Sequence, residues 1–330
     1  LPESIDARVE PADDFDLLPA LIEDEADDGW AALDRAAPRF AAAELVERGR
    51  LLGLALAREG EAEAGAWFES EMIARSPAPA RVGAPLVLDV SSLWAGPLCG
   101  HVLSLLGAQV VKVESISRPD GARGGPPAFF DLMNGGKACA AVDFRTADGR
   151  DQLRRLIARA DIVIDSARPR AWTQLGLEPA EAIARNPRLT WLSLTGHGRG
   201  DPEGSWAGFG DDAAVAAGAS LLVAGQGAAP VFVADALGDP LTGLHGALAA
   251  WAAHLAGGGR LVSLALSRVT AHALAFRRAE EPGERAAEWN AHLAEWGIAA
   301  RAPAARSPER AARAPGADNA AVFDLLRAPC

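Results

Sequence analysis

LVLDVSSLWAGPLCGHVLSLLGAQVVKVES, residues 86–115, decides the fold. Leu86–Val90 is a short apolar run of buried-strand length, and Gln109–Glu114 is a second. Between them Pro97–Leu106 reads as a helix, because a proline in the first turn fixes φ at a helical value and lacks only an N–H the helix does not need there. Strand, helix and strand joined by short turns make a βαβ unit, whose two strands must run parallel.

The same alternation continues outward. Ala138–Phe144, Ile162–Asp165, Leu189–Thr195 and Leu261–Leu266 supply further strands. Thr146–Ala158, Pro179–Ala184 and Leu241–Leu255 supply helices, the last stopping at Gly257-Gly258-Gly259. The predicted fold is α/β, a doubly wound, mainly parallel sheet, which places ligands at the carboxyl ends of its strands. Upstream, residues 1–82 read as an acidic, mainly helical region that ends in the proline-broken linker Ser76-Pro77-Ala78-Pro79-Ala80. The α/β domain is expected over 83–280. Residues 281–330 are expected to form a helix around Ala287–Trp296 and a polar tail.

A chain of 330 residues that is 49% hydrophobic can bury a sizeable core. Its net charge of -12 argues against nucleic acid or an anionic membrane surface as a partner. The acidity is concentrated at the start, where residues 1–30 hold eleven acidic side chains against Arg8 alone; a solvated face is the expected role. Cys99, Cys139 and Cys330 form neither a paired framework nor a metal spacing, so no metal is expected and the cysteine usage suits a reducing cytoplasm. No apolar run approaches the roughly 20 residues of a membrane span, and no signal-peptide pattern opens the sequence.

Few motifs carry chemistry alone. The turn Leu93-Trp94-Ala95-Gly96-Pro97 precedes a helix, where backbone N–H groups attract phosphate and glycine permits close approach. Asp239 in Leu237-Gly238-Asp239-Pro240-Leu241 stands before the long helix, where an aspartate also serves as an N-cap. P-loop, H-E-x-x-H and G-x-S-x-G patterns are absent from the sequence. His197, in a glycine-rich turn, is read as an exposed loop histidine; His245, His254 and His272 are read as structural.

Several ordered blocks together are more specific. Residues 88–115, with their AGP turn, LGA turn and KVE strand, resemble the opening of the class III CoA-transferase (CaiB/BaiF) family. Asn134-Gly135-Gly136-Lys137 with Ala141-Val142-Asp143 resembles its N-x-G-K…LDL block. ARADIVIDSARPRAWTQLGL (158–177), Asn186–Gly198 and Val233–Ala250 resemble three later blocks in register. The chain's only lysines, Lys112 and Lys137, both fall on motif positions.

The resemblance, over about residues 84–270, implies a Rossmann-like fold and an enzyme that moves coenzyme A from an acyl-CoA thioester to a small free carboxylic acid. CoA would be a substrate, and the protein would act as a homodimer or with a related chain. Asp239 matches the family's covalent aspartate, with Asp235 as the competing position. Trp94, Ala95, Gly96 and Pro97 would bind CoA, with Arg118, Arg123, Lys137 and Arg168 as phosphate ligands. Three departures stand out: Ser115 and Gln174 replace family arginines, and only a short stretch before Glu288 stands where the family carries a second domain, between the strand near Leu261–Leu266 and the return to the first domain. A non-catalytic CoA-ester-binding relative is therefore one alternative. An acyl-CoA racemase or isomerase is another, although Phe209 occupies the position of that branch's histidine.

Overall fold

Short β-branched and aliphatic runs that are apolar at every position need cover on both faces, which only the interior of a helix-covered sheet provides. The computed structural model, which describes residues 11–25, 28–76, 83–224, 231–275, 282–297, 304 and 306–324, puts them there. Its strands are β1 (Glu69–Met72), β2 (Leu86–Asp89), β3 (Gln109–Ser115), β4 (Ala138–Val142), β5 (Ile162–Asp165), β6 (Thr190–Thr195) and β7 (Arg260–Ala265). They form one sheet in the order β1-β7-β6-β5-β2-β3-β4. All neighbours from β4 to β7 are parallel, and β1 alone is antiparallel. The parallel strands follow the doubly wound order, and the chain reverses direction across the sheet between β2 and β5, the crevice where such sheets bind ligands.

The helices used below are α1 (Ala42–Leu52), α2 (Ala95–Leu105), α3 (Pro127–Asn134), α4 (Ala147–Arg159), α5 (Pro179–Arg185), α6 (Gly210–Ala216), α7 (Gly238–Leu255), α8 (Leu266–Ala275) and α9 (Asn319–Asp324). Alternation along the strands divides the core. Val87, Ile164, Leu192 and Val262 pack with Cys99 and Leu103 of α2, Ala250 of α7 and Val269 of α8. Leu88, Val111, Val163 and Trp191 pack with Leu153 and Leu156 of α4 and Ile183 of α5. Gly243 brings α7 close to α2, since a Cβ there would lie 2.8 Å from the Ala95 carbonyl oxygen.

Two features depart from the expected organisation. The N-terminal region is not only helical: its last segment joins the sheet as β1, with Glu69 opposite Ser263 and Met72 opposite Arg260. All four β1 residues are exposed, so no alternating apolar pattern marks them, and the glutamates suit a charged edge strand. Residues 77–82 of the expected linker lie outside the described residues. The C-terminal tail, in turn, closes the opposite edge. Cys139 N–H donates to the Asp318 carboxylate and Ala141 N–H to Asn319 Oδ1, both at 2.9 Å, while Val322 of α9 joins the core.

Candidate active site

The loop after β2 is built from beneath by ions. The Lys112 ammonium donates to the Ser91 carbonyl and to Asp120, each at 2.7 Å. Lys137 donates to Asp89 at 2.7 Å, to the Pro97 carbonyl at 2.8 Å and to Asn134 Oδ1 at 3.0 Å. Asp120 in turn accepts from Leu93 N–H at 2.9 Å, and Leu93 has φ of 71°, left-handed backbone that a leucine adopts only when held. Burial pushes Asp89 up, but the neighbouring Lys137 and Lys112 ammonium groups outweigh it and hold the carboxyl below the usual range.

This corrects the reading of Lys137 as a phosphate ligand. Its side chain is 2% exposed and its donors are committed inside the protein. Arg123 is committed too: it makes a bidentate pair with Glu114, donates to the Arg313 carbonyl at 3.1 Å and lies over the Phe130 ring. Ala95, Gly96 and Pro97 are buried, and the space a Cβ on Gly96 would fill is taken by Ser91, so that glycine serves the loop's own packing. The open part of the loop is Ser92–Trp94, with the Trp94 ring edge-on to Phe129 at 5.0 Å.

Above this loop stands Asp239, in the first turn of α7. Its carboxyl does not cap its own helix; Oδ1 accepts from Ala95 N–H, the first amide of α2, at 3.1 Å. The other oxygen abuts Gly210, the first residue of α6, where any Cβ would collide with Asp239 Oδ2 and the Ala236 carbonyl. Three helix N-termini thus converge on one carboxyl group, and their amide dipoles favour negative charge there. Burial works against them. It pushes Asp239 up to about 7, assisted by the nearby Asp211 and Asp212 carboxylates and opposed by the Ala95 and Gly210 amides. Asp235, the competing aspartate, is exposed.

His197 is not the exposed loop histidine expected. It is buried, and Nε2 lies 2.8 Å from Asp212 Oδ2, while Asp212 Oδ1 accepts from Phe209 N–H at 2.6 Å. Asp211 accepts from Ala236 N–H at 3.0 Å, and burial pushes it up. Sequence reasoning missed Asp211, Asp212 and Gly210 as neighbours of Asp239. The glycine followed by two acids at a helix start was the available signal.

Arg118 and Arg168 lie apart from this group, at the ends of β3 and β5. Burial lowers Arg168, and the like charges of Arg170 and Arg118 lower it further, so the three guanidinium groups share one region. None of them pairs with a carboxylate among the described residues. Ser92 N–H donates to Ser166 Oγ at 3.0 Å, linking the β2 and β5 loops at the crevice where these arginines gather.

The model of CoA-transferase family III matches residues 85–302, and the chain belongs to that family. A probable fatty acyl-CoA transferase of Mycobacterium tuberculosis, Rv3272, is 40% identical over 146 residues, 41% of this chain and 36% of that protein. A succinate–glutarate CoA-transferase of Agrobacterium fabrum is 29% identical over 206 residues, 57% of this chain and 52% of the relative. Among solved structures, Rv3272 superposes with a TM-score of 0.53 at 32% identity, covering 66% of this chain and 59% of the other. A CAIB/BAIF family protein from Brucella suis gives 0.54 at 28% identity, covering 68% and 60%. The chain spans between 36% and 52% of the length of these curated relatives. Among the described residues no helix is long and apolar enough to cross a membrane, and no cluster of side chains suits a metal ion.

Proposed function

We propose that this chain transfers CoA from an acyl-CoA thioester to a free carboxylic acid, with Asp239 as the acyl-accepting nucleophile. One observation carries the reading: a shielded carboxyl that accepts an amide hydrogen bond at the meeting point of three helix N-termini. A nucleophilic carboxylate must be ionised yet poorly solvated, and backbone amides beside it can stabilise an oxyanion.

In this mechanism an Asp239 oxygen attacks the thioester carbonyl, the C–S bond breaks, and CoA leaves as thiolate, giving a mixed anhydride. The thiolate then attacks the aspartyl carbonyl and releases the donor acid, leaving an aspartyl-CoA thioester. The acceptor carboxylate attacks that carbonyl and expels thiolate, which attacks the acceptor side of the new anhydride and frees Asp239. The Ser92–Trp94 stretch would hold the pantetheine arm. Arg118, Arg168 and Arg170, cations without internal partners among the described residues, suit the nucleotide phosphates better than Lys137 or Arg123.

The names of the relatives support the transfer of CoA between acids, and the cytoplasm is where such substrates are expected. Exposed Leu105, Leu244, Leu248 and Leu255 on α2 and α7 favour pairing with a second copy or a related chain. Incubation with succinyl-CoA and hydroxylamine tests the mechanism. A hydroxamate on Asp239, lost in Asp239→Ala together with turnover, is the expected result; undiminished turnover in that variant would sink it. Binding of CoA without turnover across a panel of acids would favour the non-catalytic alternative. Deuterium uptake from heavy water without an acceptor acid would favour the isomerase.

A further inference from the structure

The Gly210 backbone that walls the Asp239 carboxyl is itself gripped by side chains reaching back into the N-terminal region. Asp212 pins the Gly208–Phe209 peptide, the unit just before Gly210, by accepting Phe209 N–H, and His197 pins Asp212. The Trp206 ring lies edge-on to His197 at 5.8 Å, and the Arg50 guanidinium stacks on Trp206 at 3.8 Å. Arg50, at the end of α1, is in turn fixed by an ion pair to Glu61 and by donation to the Leu56 carbonyl at 3.2 Å. Both charged side chains are largely shielded, 11% and 13% exposed, so separating them would strand a desolvated charge.

The other end of the same helix is held by the same region. Carbonyls in the last turn of a helix have no partner within it. At α6, Val215 O accepts from Gly60 N–H at 3.0 Å and Ala216 O from Ala62 N–H at 2.8 Å. Glu59 Oε1 accepts from Leu221 N–H at 2.9 Å, just beyond the helix. Residues 50–62 therefore clasp α6 at its C-terminus and, through Trp206 and His197, at its N-terminus.

We propose that Arg50 and Trp206 are positioning residues for Asp239, by which the N-terminal segment, gripping the Gly208–Phe209 peptide, holds Gly210 against the reacting carboxyl. The assignment rests on Asp239 as nucleophile only for its kinetic consequence. Two variants break the stack: Arg50→Met, which keeps an apolar stem, and Trp206→Leu, which leaves the Arg50–Glu61 pair intact should the first unfold the N-terminal region.

Hydrogen exchange resolved by mass spectrometry across residues 208–216 reads the wall directly. Exchange there should quicken about tenfold in both variants, while the melting transition of the sheet stays cooperative. With succinyl-CoA as probe, kcat should fall about tenfold with KM unchanged, the pattern of a misplaced reacting group and not of lost binding. Arg50→Lys and Trp206→Phe, which keep a cation over an aromatic ring, should restore most of both. Unchanged exchange over 208–216 in Arg50→Met or Trp206→Leu would overturn the proposal. Quickened exchange in a protein whose wild type forms no Asp239 adduct would uphold the clasp and reject the transferase reading.

Discussion

Two groups of carboxylates meet at the Ser91–Ala95 loop, one buried and one part-buried, and the chain treats them in opposite ways. Beneath it, Asp89 and Asp120 each face a lysine ammonium at 2.7 Å, and Glu114 faces Arg123. Above it, Asp239 lies near Asp211 and Asp212, and the contacting base in that group is His197. Burial raises carboxylates in both places. Counter-ions reverse the effect for Asp89 and Glu114, whereas like charges reinforce it for Asp239. Neutralised acids hold a loop in place; an uncompensated acid is poised to react, and strongly shifted groups of that kind mark functional sites. The chain's two lysines both serve the first purpose.

The severest way to break the contrast is to remove a counter-ion from the lower group. Lys137→Met should leave Asp89 without its principal partner and remove the ammonium that donates to the Pro97 carbonyl. Deleting one member of a buried pair costs about 3–5 kcal/mol, read as a shift of the urea unfolding midpoint. Adding Asp89→Asn to Lys137→Met should recover part of that loss. A cost below about 1 kcal/mol, the range of exposed pairs, would mean the lower group is not the frame of the loop. In the upper group, Gly210→Ala is the matching probe. Its methyl would meet Asp239 Oδ2 and the Ala236 carbonyl, so overpacking should cost about 1–3 kcal/mol. The displaced carboxyl should slow adduct formation about 100-fold, and wild-type rates of labelling in this variant would show that Gly210 does not set the carboxyl's position.

Most of the sheet was legible because its strands and helices differ sharply in period and are separated by glycine and proline. Ile162–Asp165 is where the apolar run placed it, and the helix read from Leu241 begins only one turn earlier, at Gly238. β1 was hidden because an all-exposed edge strand of Glu, Ser and Met has no pattern to read. The site was legible one residue at a time: Asp239 stood out by its motif, yet nothing in sequence spacing relates it to Gly210, 29 positions earlier, or to Ala95, 144 positions earlier. Lys137 misled for a related reason. A lysine on a family motif position reads as a phosphate ligand, and only the tertiary structure shows that Asp89, 48 residues away, already holds it.

The gentlest probe asks whether the upper group really lacks compensation. An aspartate in an unfolded chain titrates near about 3.9, and in the folded protein Asp239 is pushed up to about 7 by burial and by Asp211 and Asp212. Folding therefore favours the protonated form, so this group takes nothing from stability below about pH 4, a growing amount between pH 4 and 7, and a constant amount above. Asp239→Asn keeps an oxygen for the Ala95 amide and removes the charge. Its melting temperature should match wild type at pH 4 and exceed it by a few degrees at pH 8, while adduct formation by the wild-type protein should rise with pH through about 7 as the nucleophile ionises. A variant no more stable than wild type at pH 8 would mean that the three helix N-termini alone offset the burial, and the upper carboxylates would then be as well compensated as the lower ones.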